Sequence, residues 1–262
     1  MMVSDEEYQK HDVFADLERY ASFYENLGHA VFGFVPIGTR AICNIDSYVF
    51  SSIQGTLSSI CIILRDGRIN DAYALLRKYY DSAIINIYTG LYLKDNVSIE
   101  SFIVTQIDRW LQGRDRLPEF RIMSQYIRGS QRVTPITGLL YSDDRYKRLR
   151  DRCNDHTHYN FYRNVLLNDK EILIKERLPA LEEFSNDLRD VLILHLSYMF
   201  FANGHYMMSS DYVDCFESGM TPEPDSQYLV APFVQDIFDQ SIKKFRPDIA
   251  AIIKQHSSMH LA

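Results

Sequence analysis

The chain has 262 residues, of which 46% are hydrophobic and 24% are charged, and its formal net charge is -7. This length and composition are typical of a globular protein with one large domain. The acidic balance excludes a protein that coats nucleic acid through a broad basic face, although a short cationic site remains compatible with it. Cys43, Cys61, Cys153 and Cys215 lie far apart without a CxxC pair, so neither a disulfide framework nor a zinc ribbon is indicated.

The N-terminal sequence Met1–Tyr8 is acidic and lacks an apolar region, so we expect no signal peptide. The most apolar runs, Ile60–Leu64 and Val191–Ala202, are interrupted well before the ~20 residues that a membrane span requires. We therefore expect a soluble, cytoplasmic protein with reduced thiols, without membrane association and without a cofactor.

Helical periodicity dominates the first part of the chain. Val13–His29 carries apolar residues at spacings of three and four, and Gly33–Gly38 is predicted to follow it as a loop. Two long helices are predicted next, over Thr39–Arg65 and Ile69–Leu93, with an Asp-Gly dipeptide between them that is typical of a helix end. Because the connection is so short, these helices should form an antiparallel hairpin.

The second part of the chain is also predicted to be helical. The elements are Ser98–Gln112, Glu119–Tyr126, a helix that opens near Asp143, the longest pattern Glu171–Met208 with Pro179 near its first turn, and Phe233–Gln255 with a kink or split at Pro247. Loops are predicted at Thr134–Gly138 and Ser209–Pro232. Because no period-2 strand or internal repeat is found, residues 1–262 are predicted to form a single all-α domain, an antiparallel helical bundle.

The strongest chemical signal is the segment from Arg145 to Asn160, RYKRLRDRCNDHTHYN. Its cations Arg145, Lys147, Arg148, Arg150 and Arg152 are followed by Asn154, His156 and His158. On a helix they form two stripes, one with Arg145, Arg148, Arg152 and His156, the other with Lys147, Arg150, Asn154 and His158. Arginine binds phosphate through paired charge-assisted hydrogen bonds, and histidine transfers protons near neutral pH. The segment therefore predicts a site that holds and cleaves a phosphodiester.

Two other interpretations of this segment remain open. A basic run on a helix is often a solvated face, and Asp143, Asp144, Asp151 and Asp155 are spaced so that they can pair with the arginines. Cys153, His156 and His158 are of metal-ligand type. However, His-Thr-His does not place both imidazoles on one helix face, and no nearby pair completes a tetrahedral set, so we expect no metal.

The spacing of these residues resembles the catalytic motif of the HEPN superfamily, an arginine followed by four to six residues and a histidine, late in an all-α bundle. Two registers match, Arg152 with His158 and Arg150 with His156. The upstream hairpin, in which Arg77 and Asp81 lie four residues apart, is also similar to that of bacterial HEPN-like proteins, where such a pair faces the core. The resemblance covers residues 39–168 as a HEPN-like core and leaves 171–262 as a C-terminal helical extension.

The resemblance implies a metal-independent endoribonuclease, often dimeric, that acts in phage defence or as a toxin in a toxin–antitoxin system. In this reading His158, or His156 in the second register, handles the proton of the ribose 2′-hydroxyl. Arg152 or Arg150 holds the scissile phosphate, and Asn154 orients the histidine or the phosphate. The remaining cations of the segment, Arg145, Lys147 and Arg148, are expected to contact RNA phosphates.

An alternative from another class is a non-catalytic helical binding or regulatory module with a protein partner. The absence of GxSxG, GxxxxGK[ST], GxGxxG and HExxH motifs removes the common hydrolase, nucleotide-binding and zinc-protease classes. Arg77 and Asp81 are expected to form an ion pair that fixes helix packing or links to the active site, and His195 to be a core histidine. We also expect a homodimer, because a twofold axis would double the cationic strip into a groove for RNA.

Overall fold

The computed structural model describes residues 1–34, 45–98, 103–209, 214–215 and 218–262. Within these ranges the chain forms helices and, apart from two isolated β-bridges, no strand, which confirms the predicted all-α fold. Several predicted features lie outside the described residues. They are most of the loop Gly33–Gly38, the first six residues of the predicted helix Thr39–Arg65 with Cys43, and parts of Ser98–Gln112 and Ser209–Pro232.

The helices of the N-terminal half are α1 (Glu6–Gln9), α2 (Val13–Phe34), α3 (Ile45–Arg65), α4 (Ile69–Asn96), α5 (Thr105–Leu111) and α6 (Phe120–Gly129). Those of the C-terminal half are α7 (Thr134–Leu140), α8 (Arg145–Thr157), α9 (Tyr162–Leu166), α10 (Arg177–Ala202), α11 (Pro232–Ile237), which continues as a π-helix over Phe238–Lys243, and α12 (Pro247–His256). Short 3-10 turns occupy Gln131–Val133, Gly204–Met207 and Ser226–Tyr228.

Helices α3 and α4 form the predicted hairpin, and their connection depends on Gly67. The amide of Gly67 donates to the carbonyl of Leu64 at 2.8 Å and that of Arg68 to Ile63 at 2.9 Å, the pattern of a Schellman helix end. Gly67 has a φ of +80°, and a Cβ there would lie 2.3 Å from a methyl carbon of Val3. The turn is therefore compatible with glycine alone, for both conformational and steric reasons.

Two details of the helix pattern differ from the sequence prediction. Thr134–Gly138 was predicted as a loop, and this was wrong: it lies in α7, where Pro135 occupies the first turn and loses no hydrogen bond. Glu171–Met208 was predicted as the longest helix, but α10 covers only Arg177–Ala202 and is shorter than α4. Pro179 does lie in the first turn of α10, and Pro247 does separate α12 from the preceding helix.

Helix α4 lies at the centre of the bundle, in contact with α3, α6, α8 and α10. Its buried side chains belong to one contiguous core that extends from Val3 to Met259 and includes much of α2 and α10. An apolar stripe on α8 joins the same core through Tyr146, Leu149 and Cys153. The position of α8 between α4 and α10 decides where the side chains of the Arg/His segment point.

A chain of hydrogen bonds crosses this core and connects several of its buried polar groups. His195 is fully buried; its Nδ1 lies 2.7 Å from the Tyr24 hydroxyl and its Nε2 lies 2.9 Å from Oδ1 of Asn86. Asn86 donates in turn to Asp46 at 2.7 Å, and the hydroxyl of Tyr206 donates to the same carboxylate at 2.9 Å. His195 is therefore a core histidine, as predicted, and burial lowers its pKa to about 3.

Helix α3 is the one described helix whose length and apolar composition would allow it to cross a membrane, and 39% of the relevant window is buried in the bundle. Its buried residues include Phe50, Ile53, Leu57, Ile60 and Leu64, which face the core. Core helices of soluble proteins pass the same test of length and composition.

Replacing glycine by alanine is expected to destabilise the protein at Gly67 but to stabilise it at a glycine within a helix. Gly67→Ala should lower the free energy of unfolding by more than about 1 kcal/mol, because the new Cβ meets Val3 and the positive φ is strained. Gly55→Ala is the matched control: it lies within α3 with open space around it and should raise stability by about 0.5–1 kcal/mol. Urea unfolding measures both changes, and equal changes in the two variants would contradict the assignment.

Candidate active site

Helix α8 carries the Arg/His segment and packs into the bundle although most of its surface is polar. It begins at Arg145, where the backbone amide donates to Oδ1 of Asp143 at 2.9 Å, and it ends at Thr157. Tyr146, Leu149, Cys153 and His156 are its buried residues, at spacings of three and four. The arginines therefore flank a narrow apolar stripe and lie at the edges of the interfaces with α4 and α10.

Two arginines of α8 are bound by carboxylates of α10. Arg152 makes a bidentate ion pair with Asp187, at 2.8 and 2.5 Å, and contacts Glu183 at 3.1 Å. Arg145 contacts Asp190 at 3.2 Å and also binds Asp143 at 2.8 Å. Burial raises the pKa of the Asp187 carboxyl, although the guanidinium of Arg152 acts in the opposite direction. Such a pair is firmly held, because Asp187 would otherwise be a buried charge without a partner.

The opposite edge of α8 is attached to α4. Arg150 contacts Asp81 at 2.8 Å, and its guanidinium lies 3.5 Å above the centroid of the Phe120 ring. Arg77 donates a hydrogen bond to Oδ1 of Asn154. The ion pair expected between Arg77 and Asp81 is present only at 4.0 Å, and both side chains are about one-third exposed instead of facing the core. Each of them has its closer partner on α8, so their role is to join the two helices.

The remaining cations of α8 lie at the surface. Arg148 pairs with Asp144 one turn earlier, whereas Lys147 is exposed and makes no ion pair within the described residues. Of the acids predicted to pair within the segment, Asp143 and Asp144 bind arginines, while Asp155 accepts a hydrogen bond from Asn160 at 2.8 Å. The cationic strip is therefore largely neutralised by carboxylates, most of which come from α4 and α10.

His156 is buried and held in one orientation. Its ring stacks on Tyr73 with centroids 4.0 Å apart and an interplanar angle of 15°, and its Nδ1 lies 2.9 Å from Oδ1 of Asn70. An amide oxygen accepts only, so Nδ1 carries the hydrogen and Nε2 keeps the lone pair. Burial, with a further contribution from the nearby charge of Arg163, lowers the pKa of His156 to about 4. The imidazole is therefore neutral at pH 7.

A cavity of about 260 Å³ opens beside His156, between α9 and the first turns of α10. Arg163, Asn164, Glu176 and Glu183 line it together with His156. Nε2 of His156 has no hydrogen-bond partner in the part of the chain that the structure describes. Arg163 makes no ion pair there either; its guanidinium lies 5.4 Å from the centroid of the Phe161 ring. A proton acceptor and a free cation thus share one cavity.

The other candidate residues are not brought into this cavity. His158 follows the last turn of α8 and is exposed, and Arg150 and Arg152 lie on opposite edges of the helix. Neither predicted register therefore places its arginine and its histidine side by side in the isolated chain. Cys153 is fully buried, and burial raises the pKa of its thiol to about 12, which suits packing better than chemistry. No group of three metal-ligand side chains occurs among the described residues.

Sequence reasoning missed the residues that define the environment of His156. Asn70 and Tyr73 are one helical turn apart on α4, and Arg163 lies on α9, beyond the motif. No local pattern marks Asn70 or Tyr73, since both positions also fit an apolar helix face. Arg163 carried a weak signal, because it follows the aromatic run from Tyr159 to Tyr162 in a stretch that lacks acids.

The chain matches no protein-family model, and searches of the curated proteins and of the solved structures give no match. The function must therefore be argued from the site itself.

Removing Arg152 is expected to destabilise the bundle, because it leaves Asp187 buried without its cation. Arg152→Leu should lower the free energy of unfolding by about 2–3 kcal/mol. Arg148→Leu removes an exposed pair of the same type and should cost at most about 1 kcal/mol. The double variant Arg152→Leu/Asp187→Leu should recover most of the loss. The free energy of unfolding is measured in urea. Equal decreases for Arg148→Leu and Arg152→Leu would show that the interface between α8 and α10 does not depend on the pair of Arg152 with Asp187.

The depressed pKa of His156 predicts a pH dependence of stability. Between pH 6.5 and 4, His156 is protonated in the unfolded chain but stays neutral in the folded chain. The free energy of unfolding is therefore highest above pH 6.5 and decreases as the pH drops through this range. From pH 7 to pH 5, His156→Gln should lose about 2 kcal/mol less than the wild type. The His156→Gln variant should still lose some stability at low pH, because His195 and His205 also have lowered pKa values. His158→Gln, at an exposed position, is the control, and an unchanged slope in His156→Gln would contradict the assignment.

Proposed function

We propose that the protein is a metal-independent endoribonuclease of HEPN type in which His156, and not His158, accepts the proton of the ribose 2′-hydroxyl. One observation carries the proposal: the oriented imidazole of His156, whose Nε2 has no hydrogen-bond partner within the described residues, lines one cavity together with Arg163, which makes no ion pair there. A general base must be unprotonated and fixed in direction at the working pH, which the neutral imidazole of His156 satisfies, although its lowered pKa makes it a weaker base than an ordinary histidine.

The proposed reaction needs only groups of this chain and of RNA. Nε2 of His156 takes the 2′-hydroxyl proton, the 2′-oxygen attacks the adjacent phosphorus, and the 5′-oxygen leaves with a proton from the imidazolium or from water. The products are a 2′,3′-cyclic phosphate and a 5′-hydroxyl. Arg163 compensates the negative charge that develops on the phosphate oxygens. Arg150 and Arg152 position α8 in this scheme, because each is already paired with a carboxylate of α4 or α10.

Aromatic residues next to the cavity support RNA as the ligand. Tyr159, Phe161 and Tyr162 are 50%, 49% and 75% exposed, and they lie within four residues of Arg163 in the sequence, outside the cavity lining itself. Exposed rings beside a cation suit the stacking of unpaired bases. The expected phosphate contacts of Arg145, Lys147 and Arg148 stay predictions, as do the cytoplasmic location, the homodimer and a role in phage defence or in a toxin–antitoxin pair.

A second candidate is favoured by the charges around the site. Arg145, Arg148, Arg150 and Arg152 are all paired with carboxylates, and Glu176 and Glu183 line the cavity of His156. Carboxylates at these positions repel phosphate. They favour a non-catalytic helical module in which α8 serves to join helices and a protein partner binds elsewhere.

Cleavage assays on total RNA in the presence of EDTA distinguish the two candidates. The endoribonuclease should be active without metal, and His156→Ala should lower the rate by about 10²- to 10⁴-fold because it removes the base. Arg163→Ala should also reduce the rate, whereas His158→Ala, at an exposed position, should leave it close to that of the wild type. Circular dichroism of each variant confirms that the fold is retained.

The pH profile provides a readout that loss of structure would not imitate. Because the pKa of His156 is lowered to about 4, the rate should not fall between pH 7 and pH 5.5, as it would with an unperturbed histidine. A wild-type protein that is folded but leaves RNA intact under all conditions would contradict the enzyme and support the binding module. Equal loss of activity in His156→Ala and His158→Ala would contradict the choice of base.

A further inference from the structure

A second cavity, here named the α6–α8 cleft, lies on the side of α8 that faces α6 and shares no lining residue with the cavity of His156. Its volume is about 310 Å³. Its lining combines four aromatic rings, Tyr80, Phe120, Tyr141 and Tyr146, with four cations, Arg121, Arg128, Lys147 and Arg150. The combination is unusual in a chain of net charge -7, and none of these residues takes part in a chemical step of the proposed reaction, in which Arg150 only positions α8.

The charge of the cleft is positive because its acids already have partners. Asp143 and Asp144 also line the cleft, but Arg145 binds the first and Arg148 binds the second. The guanidinium of Arg145 lowers the pKa of Asp143 to about 2, so this carboxylate is ionised and paired with Arg145 at neutral pH. Arg121 and Lys147 are exposed and make no ion pair within the described residues. An anion that enters the cleft therefore meets cations whose charge is not compensated.

Two of the cations are fixed in place before any ligand binds. Arg150 is held by Asp81, which accepts from its Nη1 at 2.8 Å, and by the Phe120 ring at 3.5 Å, while its Nε and Nη2 make no hydrogen bond within the described residues. The guanidinium of Arg128 lies 5.0 Å from the Tyr141 centroid, and its Nε donates to the carbonyl of Ser124 at 3.3 Å. Donors that are already ordered lose little entropy when an anion binds.

The interior of the cleft is apolar and aromatic. The ring of Phe120 packs edge-on against Tyr80 with centroids 5.1 Å apart, and Tyr146 lies 5.6 Å from Tyr141. A fully solvated ion such as phosphate gains nothing from such walls, whereas a flat apolar body does. Guanidinium planes add a second surface on which a flat ring can stack.

We propose that the α6–α8 cleft binds a small aromatic anion, a flat ring system that carries a phosphate or carboxylate group. The ring occupies the aromatic interior, and the anionic group is bound by Arg150 together with Lys147 and Arg121 at the rim. This binding site is separate from the proposed ribonuclease site, and each can be tested without the other.

Isothermal titration with 1-naphthyl phosphate tests the proposal, with 1-naphthol and inorganic phosphate as the two half-ligands. For a probe of this size, a Kd on the order of 0.1–1 mM is expected. Each half-ligand should bind at least tenfold more weakly. Binding of inorganic phosphate as tight as that of the whole probe would reduce the cleft to a general anion site and overturn the proposal.

Charge reversal at the rim locates the site. The double variant Arg121→Glu/Lys147→Glu, at two exposed positions that make no ion pair within the described residues, should weaken binding of 1-naphthyl phosphate at least tenfold. Arg114→Glu/Lys175→Glu makes the same change in net charge at exposed positions outside the cleft and should leave the Kd within twofold. Equal weakening in both double variants, or none in either, would overturn the assignment. Naphthyl carboxylate in place of the phosphate tells which anionic group is preferred.

Discussion

The pairing of the arginines of α8 with carboxylates of α4 and α10 is the interaction on which the site depends. A helix with only a narrow apolar stripe gains little from burial, so its docking requires that the charges at its edges be neutralised. Asp81 on α4 and Asp187 on α10 provide that neutralisation from opposite sides. Because the two contacts are on different helices, they fix both the position and the rotation of α8.

That rotation determines what His156 is able to do. Once Arg150 faces α4 and Arg152 faces α10, the stripe between them points inward, and His156 falls over Tyr73 within reach of Asn70. His158 lies two residues further along and is rotated out to solvent. The same geometry that buries His156, and so lowers its pKa, leaves one edge of its ring open to a cavity. His156 is buried enough for its imidazole to stay neutral at pH 7, yet it still lines the cavity.

The sequence was sufficient to predict most of the helices but not the carboxylates with which the arginines of α8 pair. Periodicity predicted the α3–α4 hairpin, α8 and the break at Pro247, because each depends on local spacing or on a single backbone constraint. It placed a loop at Thr134–Gly138, because proline and glycine signal a turn unless the proline falls in the first turn of a helix. The two stripes of α8 were also predictable. The acid that each arginine meets was not, because Asp81 and Asp187 come from segments distant in the chain.

The distinction between paired and unpaired cations also decides which residues can report on function. An arginine that neutralises a buried carboxylate affects stability as soon as it is removed, so the loss of activity in such a variant says little about its role. Arg152, paired with the buried Asp187, belongs to that group, whereas Asp81, the partner of Arg150, is about one-third exposed. Three cations near the proposed sites do not belong to this group: Arg163 beside His156, and Lys147 and Arg121 in the α6–α8 cleft. None of the three makes an ion pair within the described residues. Their charge is available to a ligand, so substitutions at these three positions can separate binding and catalysis from folding.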